Sequence, residues 1–267
     1  MKRYNDFVKI VNEAIKCGSN ILILPECYLP FEWIPILSRT CAKNQLAVVT
    51  GVEYVLTGKK HSARTAVNLT SVIIPYTEDD CKYSFINFHK KVHIAPSERM
   101  FESRNIKIEA GKTYELYNWN DFWFSVYCCY ELASVYDRAI FQSYIDALIA
   151  VEWNKDTNYY SNIVESLSRD IHCFCVQVNT SEYGDSRITK PSKTESKDII
   201  QVKGGQNSTV LVEELDFTAL REFQIKGNLN QKNRSDFKQT PPGFDYDVVR
   251  DKIIGQLWDK ILYHFNK

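Results

Sequence analysis

The sequence predicts an α/β fold, layered around one core. Three observations predict it. Amphipathic helical stretches alternate with short, continuous apolar runs, and runs of that kind are the pattern of strands buried on both faces. No internal repeat, charge run or low-complexity tract divides the chain, which holds only 10 Gly and 8 Pro in 267 residues. Residues 1–267 are therefore read as a single domain, long enough to bury a large core without disulfide staples.

The elements follow in order. Phe7, Val8, Val11, Ala14 and Ile15 form one helical face, closed by Gly18, which suits a left-handed cap. Ile21–Leu24 is a buried strand ended by Pro25. A helix is expected over Trp33–Asn44 and strands over Leu46–Thr50, Val67–Ile74 and Tyr83–Phe88, the last two joined by the polar turn at 77–80. Phe122–Tyr127 is a further buried strand, Leu132–Tyr144 a helix and Ala147–Val151 a strand. Tyr160, Ile163, Val164, Leu167 and Ile171 mark a helix, and Cys173–Val178 a strand. Ile188–Lys197 reads as a loop. Ile199–Val202 and Thr209–Val212 read as paired strands about Gly204-Gly205. Asn228–Gly243 reads as an exposed connector, and a last helix carries Val249, Ile253, Leu257 and Ile261 on one side.

Composition excludes several classes of function. Lys+Arg and Asp+Glu are both 33, so a strongly cationic nucleic-acid binder is not expected. No run approaches the length of a membrane span, and the N-terminus has no signal-peptide core. The eight cysteines are scattered without a C-x-x-C, the pattern of free thiols in a cytoplasmic protein. Cys173-x-Cys175 beside His172 lacks a second ligand pair, so no metal is expected.

Three polar residues stand directly after apolar strand runs, where α/β sheets gather their sites. Glu26 follows Ile21–Pro25, Lys91 follows Tyr83–Phe88 and His89-Lys90, and Cys129 follows Phe122–Tyr127 and Cys128. Lys90 and Cys128 compete with their neighbours for the same roles. Together a carboxylate, an amine and a thiol can supply a base, an oxyanion donor and a nucleophile.

These residues resemble the nitrilase, or carbon–nitrogen hydrolase, superfamily. Ile-Leu-Ile-Leu-Pro25-Glu26 is similar to its strand ending in the general base. Lys91-Val92-His93-Ile94-Ala95-Pro96 is similar to its Lys-x-His-Leu motif, and Cys129-Tyr130-Glu131-Leu132 to its nucleophile segment. Ala110-Gly111, Trp153-Asn154, Asn179, Gly184-Asp185-Ser186 and Val210–Asp216, similar to the closing strand, extend the likeness along nearly the whole chain. The resemblance selects Lys91 over Lys90 and Cys129 over Cys128, whose side chain strand alternation would point the other way. It implies a four-layer α-β-β-α sandwich, usually a dimer or larger oligomer, and cleavage of non-peptide C–N bonds through a thioester without metal or cofactor. Glu98 is the expected orienting carboxylate, Glu131 a supporting hydrogen-bonding group, His93 a structural donor, and Tyr130, Trp153 and Asn154 supporting residues. Tyr130 in place of Trp after the cysteine favours an amide or carbamoyl substrate over a nitrile.

Family members usually begin with a strand that is missing ahead of the first helix here. That departure raises an alternative: an interaction or regulatory module of a larger assembly, joined to an upstream domain or partner, as in some defence-associated reverse transcriptases. A papain-like pairing of Cys129 with His172 is a weaker third reading.

Overall fold

The computed structural model describes residues 2–58, 64–205, 209–231 and 236–265. Met1 and residues 232–235 of the Asn228–Gly243 connector lie outside the described residues. Helix α1 (Lys2–Lys16) buries Phe7, Val11 and Ala14, and the chain reverses at Gly18, φ 68°. Strand β1 (Ile21–Leu29) runs past the apolar stretch and takes Pro25 and Glu26 into the sheet. Helix α2 (Ile34–Asn44) leads to β2 (Ala47–Thr57), β3 (Arg64–Glu78) and β4 (Cys81–Lys90). Asp79 and Asp80, both at positive φ, make the tight β3–β4 turn. The short β5 (Ile106–Ile108) pairs with the start of β3, and the sheet order is β1-β2-β3-β4.

The second sheet holds β6 (Leu116–Trp119), β7 (Phe122–Cys128), β8 (Ala147–Glu152), β9 (Phe174–Asn179), β10 (Ser186–Thr189) and β11 (Asp198–Val202), side by side in that order. Strands β7, β8 and β9 are mutually parallel, so their C-terminal ends lie together. Between them run α3 (Val135–Arg138) and α4 (Thr157–Leu167). Four short helices follow: α5 (Phe217–Gln224), α6 (Gly227–Asn230), α7 (Tyr246–Ile253) and α8 (Leu257–Phe265).

Three apolar cores define four layers. Phe7, Val11, Leu37 and Cys41 of α1 and α2 pack on Leu22, Leu24 and Val48 of the first sheet. Val49 and Val72 meet Phe124, Val126, Ile149 and Val151 between the sheets. Tyr160, Ile163, Val164 and Leu167 of α4 cover Leu148, Ala150 and Cys175 on the outer face of the second sheet. The alternation of faces along β8 is thus read directly: Ile149 and Val151 inward, Leu148 and Ala150 outward. At the N-terminal end of β8, Asp146 receives Arg221 Nε at 2.9 Å and Lys252 Nζ at 3.0 Å, docking α5 and α7 onto the sheet.

Several sequence expectations are corrected. Leu132–Tyr144 is α-helical only at Val135–Arg138. The chain first makes a tight turn over Cys129–Ala133, tied by Glu131, and later adopts a left-handed Ser143. The partner of β11 is β10, with Ile188 opposite Ile200, so the expected loop at 188–197 opens in a strand. Buried Arg187 and Thr189 disguised that strand as polar loop. Thr209–Val212 forms no strand, and neither does Val210–Asp216. There Val210 and Leu215 instead pack singly against the cores. The connector is folded back, with Gln231 and Thr240 buried and the Thr240 N–H donating to Gln231 Oε1 at 3.0 Å. The last helix is two helices broken at Gly255, φ 72°, which leaves Ile253 exposed while Val249 and Leu257 are buried.

Candidate active site

Glu26 sits where β1 slips register against β2, between Leu24 and Leu29, with Cys27 left-handed at φ 53°. Gly51 of β2 allows this close approach. A Cβ there would lie 2.3 Å from the Glu26 Cα. Lys91 leaves the end of β4, its N–H bonded to the Asn68 carbonyl of β3 at 3.0 Å. Gly111 packs on the same turn, donating to the Lys91 carbonyl at 2.8 Å where a side chain would strike Lys90.

These strand ends bring the side chains together. Lys91 Nζ donates to Glu26 Oε1 at 2.8 Å and pairs with Glu98 Oε2 at 2.9 Å, and all three residues are at least 95% buried. Asn68 Nδ2 bridges both carboxylates, at 2.8 and 2.9 Å. Tyr54 donates to Glu98 Oε1 at 2.6 Å, and the Ala95 N–H to Glu98 Oε2 at 2.6 Å. Burial opposes the Lys91 ammonium, but the acidic groups around it, Cys128, Glu26, Cys129 and Glu98, outweigh it and hold its pKa well above the ordinary lysine value. Burial likewise opposes the Glu98 carboxylate, yet Lys91, Tyr54 and Asn68 bring its pKa below the usual value.

Both cysteines face this cluster. Cys128 Sγ lies 3.2 Å from Glu26 Oε1, so strand alternation does not turn it away from the site as the sequence suggested. Cys129 follows in a left-handed conformation, φ 48°, the strained turn that ends β7. Its thiol stands beside the Trp153 N–H and the Tyr160 hydroxyl. Burial first, then the Glu26 charge, pushes the pKa of each thiol well above the ordinary range, with Lys91 acting in the opposite sense. At neutral pH both groups rest as thiols.

Glu131, fully buried, fastens this turn to the Lys91 strand. It accepts the Cys128 N–H at 2.6 Å and the Val92 N–H at 2.5 Å. His89 joins from β4, with Nε2 2.9 Å from Glu131 and Nδ1 2.8 Å from Glu115. Burial disfavours the imidazolium, but the two carboxylates win and raise its pKa to about 9. His93 instead pairs with Asp137 at the surface.

Trp153, half-exposed, gives its N–H to Glu26 Oε2 at 3.0 Å. Asn154 is locked by Asn179, donating its N–H to Asn179 Oδ1 at 3.0 Å, and its side chain accepts the Asp156 N–H that begins α4. Tyr130 is partly exposed next to Cys129. His172 stands apart. Its ring bonds the Lys238 carbonyl and Gln224, burial lowers its pKa to about 4, and it pairs with no cysteine of this site.

Sequence reasoning missed Asn68, Tyr54, His89 and Glu152. Asn68 could have been found as an amide inside the apolar alternation Val67–Leu69, and Glu152 as a charge closing the run Ala147–Val151. Tyr54 gave no signal, since aromatic residues are ordinary in strands.

No protein-family model and no curated protein sequence matches the chain. Solved structures do match. A CN-hydrolase superfamily protein from Xanthomonas campestris, XC1258, with an arsenic adduct in its active site, shares 16% identity at a TM-score of 0.61, over 89% of this chain and 92% of that one. Nit3 of Saccharomyces cerevisiae, of branch 10 of the nitrilase superfamily, shares 16% at 0.61, over 85% and 88%. An amidase from Nesterenkonia sp. shares 12% at 0.55, over 74% and 78%. The chain therefore has the nitrilase-superfamily fold, a mixed α/β sandwich.

Proposed function

We propose that the chain is a carbon–nitrogen hydrolase of the amidase kind, acting on a small amide or carbamoyl compound through a Cys129 thioester. The observation that carries this reading is the meeting of Glu26, Lys91 and the Cys128–Cys129 turn at three strand ends, with Lys91 and Glu26 2.8 Å apart. It accords with the fold shared with amidases and with the order of the three motifs.

The chemistry follows from the charges. Because Cys129 rests as a thiol, it needs a base as it attacks, and Glu26 takes the proton. The new C–S bond places negative charge on the carbonyl oxygen. Lys91 and the N–H after Cys129 stabilise that oxyanion. Collapse breaks the C–N bond, and Glu26 returns its proton to the departing nitrogen. Glu26 then takes a proton from water, whose oxygen attacks the thioester, and returns it to the departing Cys129 sulfur as the C–S bond breaks, releasing the acid and restoring the thiol. Glu98 and Asn68 hold Lys91 and Glu26 in register throughout. Glu131 orients the nucleophile turn. Trp153 and Asn154 line the way in, together with Tyr130. A homo-oligomer belongs to the same reading and is tested by light scattering.

The test is ammonia release from a panel of small amides, carbamoyl compounds and nitriles, with Cys129→Ala as control. Turnover of amides by the wild type alone supports the reading. Turnover surviving in Cys129→Ala, or none with any substrate, overturns it. Covalent trapping is a second route, because a mutant of the Nesterenkonia amidase carries the acetamide moiety of fluoroacetamide on its active-site cysteine.

A further inference from the structure

Two adjacent thiols share one carboxylate, and their surroundings differ in kind. Cys128 Sγ lies 3.2 Å from Glu26 Oε1 and 4.0 Å from Asn68 Oδ1, both of them acceptors. Cys128 therefore acts as a donor, and a donor needs its proton. Around the Cys129 sulfur the polarity is reversed. The Trp153 N–H, which donates to Glu26 Oε2 at 3.0 Å, also bonds to this sulfur, and the Tyr160 hydroxyl is hydrogen-bonded to it from α4. Lys91 favours both thiolates and so does not separate them. A sulfur that receives hydrogen bonds is prepared to carry negative charge, and one that gives them is not.

The fold holds Tyr160 in place for this contact. It is 5% exposed, in the first turn of α4, within the core that α4 builds on the second sheet. That turn is tied to the site by a run of hydrogen bonds. Asn179 Oδ1 accepts the Asn154 N–H at 3.0 Å, Asn154 Oδ1 accepts the Asp156 N–H at 2.9 Å, and the Asp156 carbonyl accepts the Tyr160 N–H at 3.2 Å. Burial first, then the Cys129 charge, pushes the Tyr160 phenol well above its ordinary pKa. It keeps its proton at working pH and serves as a donor.

We propose that Tyr160 is a further catalytic residue of this site, whose hydroxyl donates to the Cys129 sulfur whenever that sulfur carries negative charge. This rests on the hydrolase reading above. Charge develops on the sulfur twice. It appears during attack, as the S–H proton passes to Glu26, and again during hydrolysis, as the C–S bond breaks and its electron pair returns to sulfur before Glu26 restores the proton. The Tyr160 proton stays on its own oxygen in both steps. A hydrogen bond to a charged acceptor is stronger than one to a neutral acceptor, so the contact strengthens as the charge develops and lowers the barrier. Cys128, facing acceptors, has no such help, and this selects its neighbour as the nucleophile.

The experiment is alkylation by iodoacetamide at pH 8, with the rate at each cysteine read by mass spectrometry. It reads the Cys129 thiolate without cleaving a C–N bond, so it separates this proposal from failure of the hydrolase reading. Tyr160→Phe keeps the ring in the core and removes only the donor. The rate at Cys129 should fall about tenfold, while the exposed Cys17 and Cys81 label as in wild type. In turnover, kcat should fall by a similar factor with KM unchanged. Tyr160→3-fluorotyrosine, with a more acidic hydroxyl and thus a stronger donor, should instead speed alkylation of Cys129. An unchanged Cys129 rate in folded Tyr160→Phe overturns the proposal. So does an unchanged or slower rate in the fluorotyrosine protein, whether or not Tyr160→Phe folds. Slower alkylation of Tyr160→Phe in a protein that turns over no substrate would support the role of Tyr160 at the sulfur and overturn the hydrolase reading alone.

Discussion

His89 makes a quantitative prediction about stability. Its imidazolium lies between Glu115 and Glu131, and Glu131 in turn holds the backbone of Cys128 and Val92. The folded pKa of about 9 exceeds the ordinary histidine value of 6.5. A group raised in this way stabilises the fold fully below the unfolded pKa, and that stability is lost as pH rises through the folded one. The rise from 6.5 to about 9 corresponds to about 3 kcal/mol in full. Between pH 7 and 9.5 roughly 2 kcal/mol of it should disappear. Urea unfolding of wild type and His89→Gln at half-unit intervals across that range reads this directly. Buried thiols also destabilise the fold above about pH 8.5, because the unfolded thiols ionise first, but they do so equally in both proteins. The gap between the two curves should therefore narrow by about 2 kcal/mol as pH rises. Parallel curves would refute the assignment of His89 as a buried imidazolium.

Further predictions follow from the same contacts. Lys91→Met leaves Glu26 and Glu98 facing each other without their shared ammonium. It should cost about 3–5 kcal/mol at pH 7, less at pH 5, and lower kcat by about 10²–10³-fold, as denaturation and ammonia-release assays would show. Gly51→Ala drives a methyl into the Glu26 backbone and should cost at least about 1–3 kcal/mol while displacing Glu26, seen as a joint loss of Tm and kcat. Asp146→Asn strands the buried Arg221 and Lys252 charges and should cost about 3–5 kcal/mol by urea titration.

Much of this arrangement was legible in the sequence because apolar runs mark buried strands, and the residues just after them mark the strand ends. Ile21–Leu24, Phe122–Tyr127 and Ala147–Val151 announced β1, β7 and β8, and thereby the places of Glu26, Cys129 and Trp153. What stayed hidden depended on contacts distant in the chain. Strand β10 reads as polar because Arg187 is buried by pairing with Asp185 and Asp198, which periodicity cannot report. The helix expected over 132–144 is cut short because Glu131 is recruited by Val92, 39 residues away. The facing of Cys128 toward Glu26 depends on how the two sheets meet across the inner core, and alternation along one strand does not fix that. Glu152 and Gln177 come together only through the β8–β9 pairing.

The central claim is that Cys129, not its neighbour, carries the acyl group. Cys128 Sγ is 3.2 Å from Glu26, whereas Cys129 occupies the strained turn beside the Trp153 N–H. The most direct measurement is trapping with fluoroacetamide, followed by proteolysis and fragment-ion mass spectrometry of the peptide spanning 122–138. A single adduct located on Cys129, formed at a rate that falls when Glu26 is replaced by Gln, is the predicted result. An adduct on Cys128, or labelling indifferent to Glu26, would contradict the account.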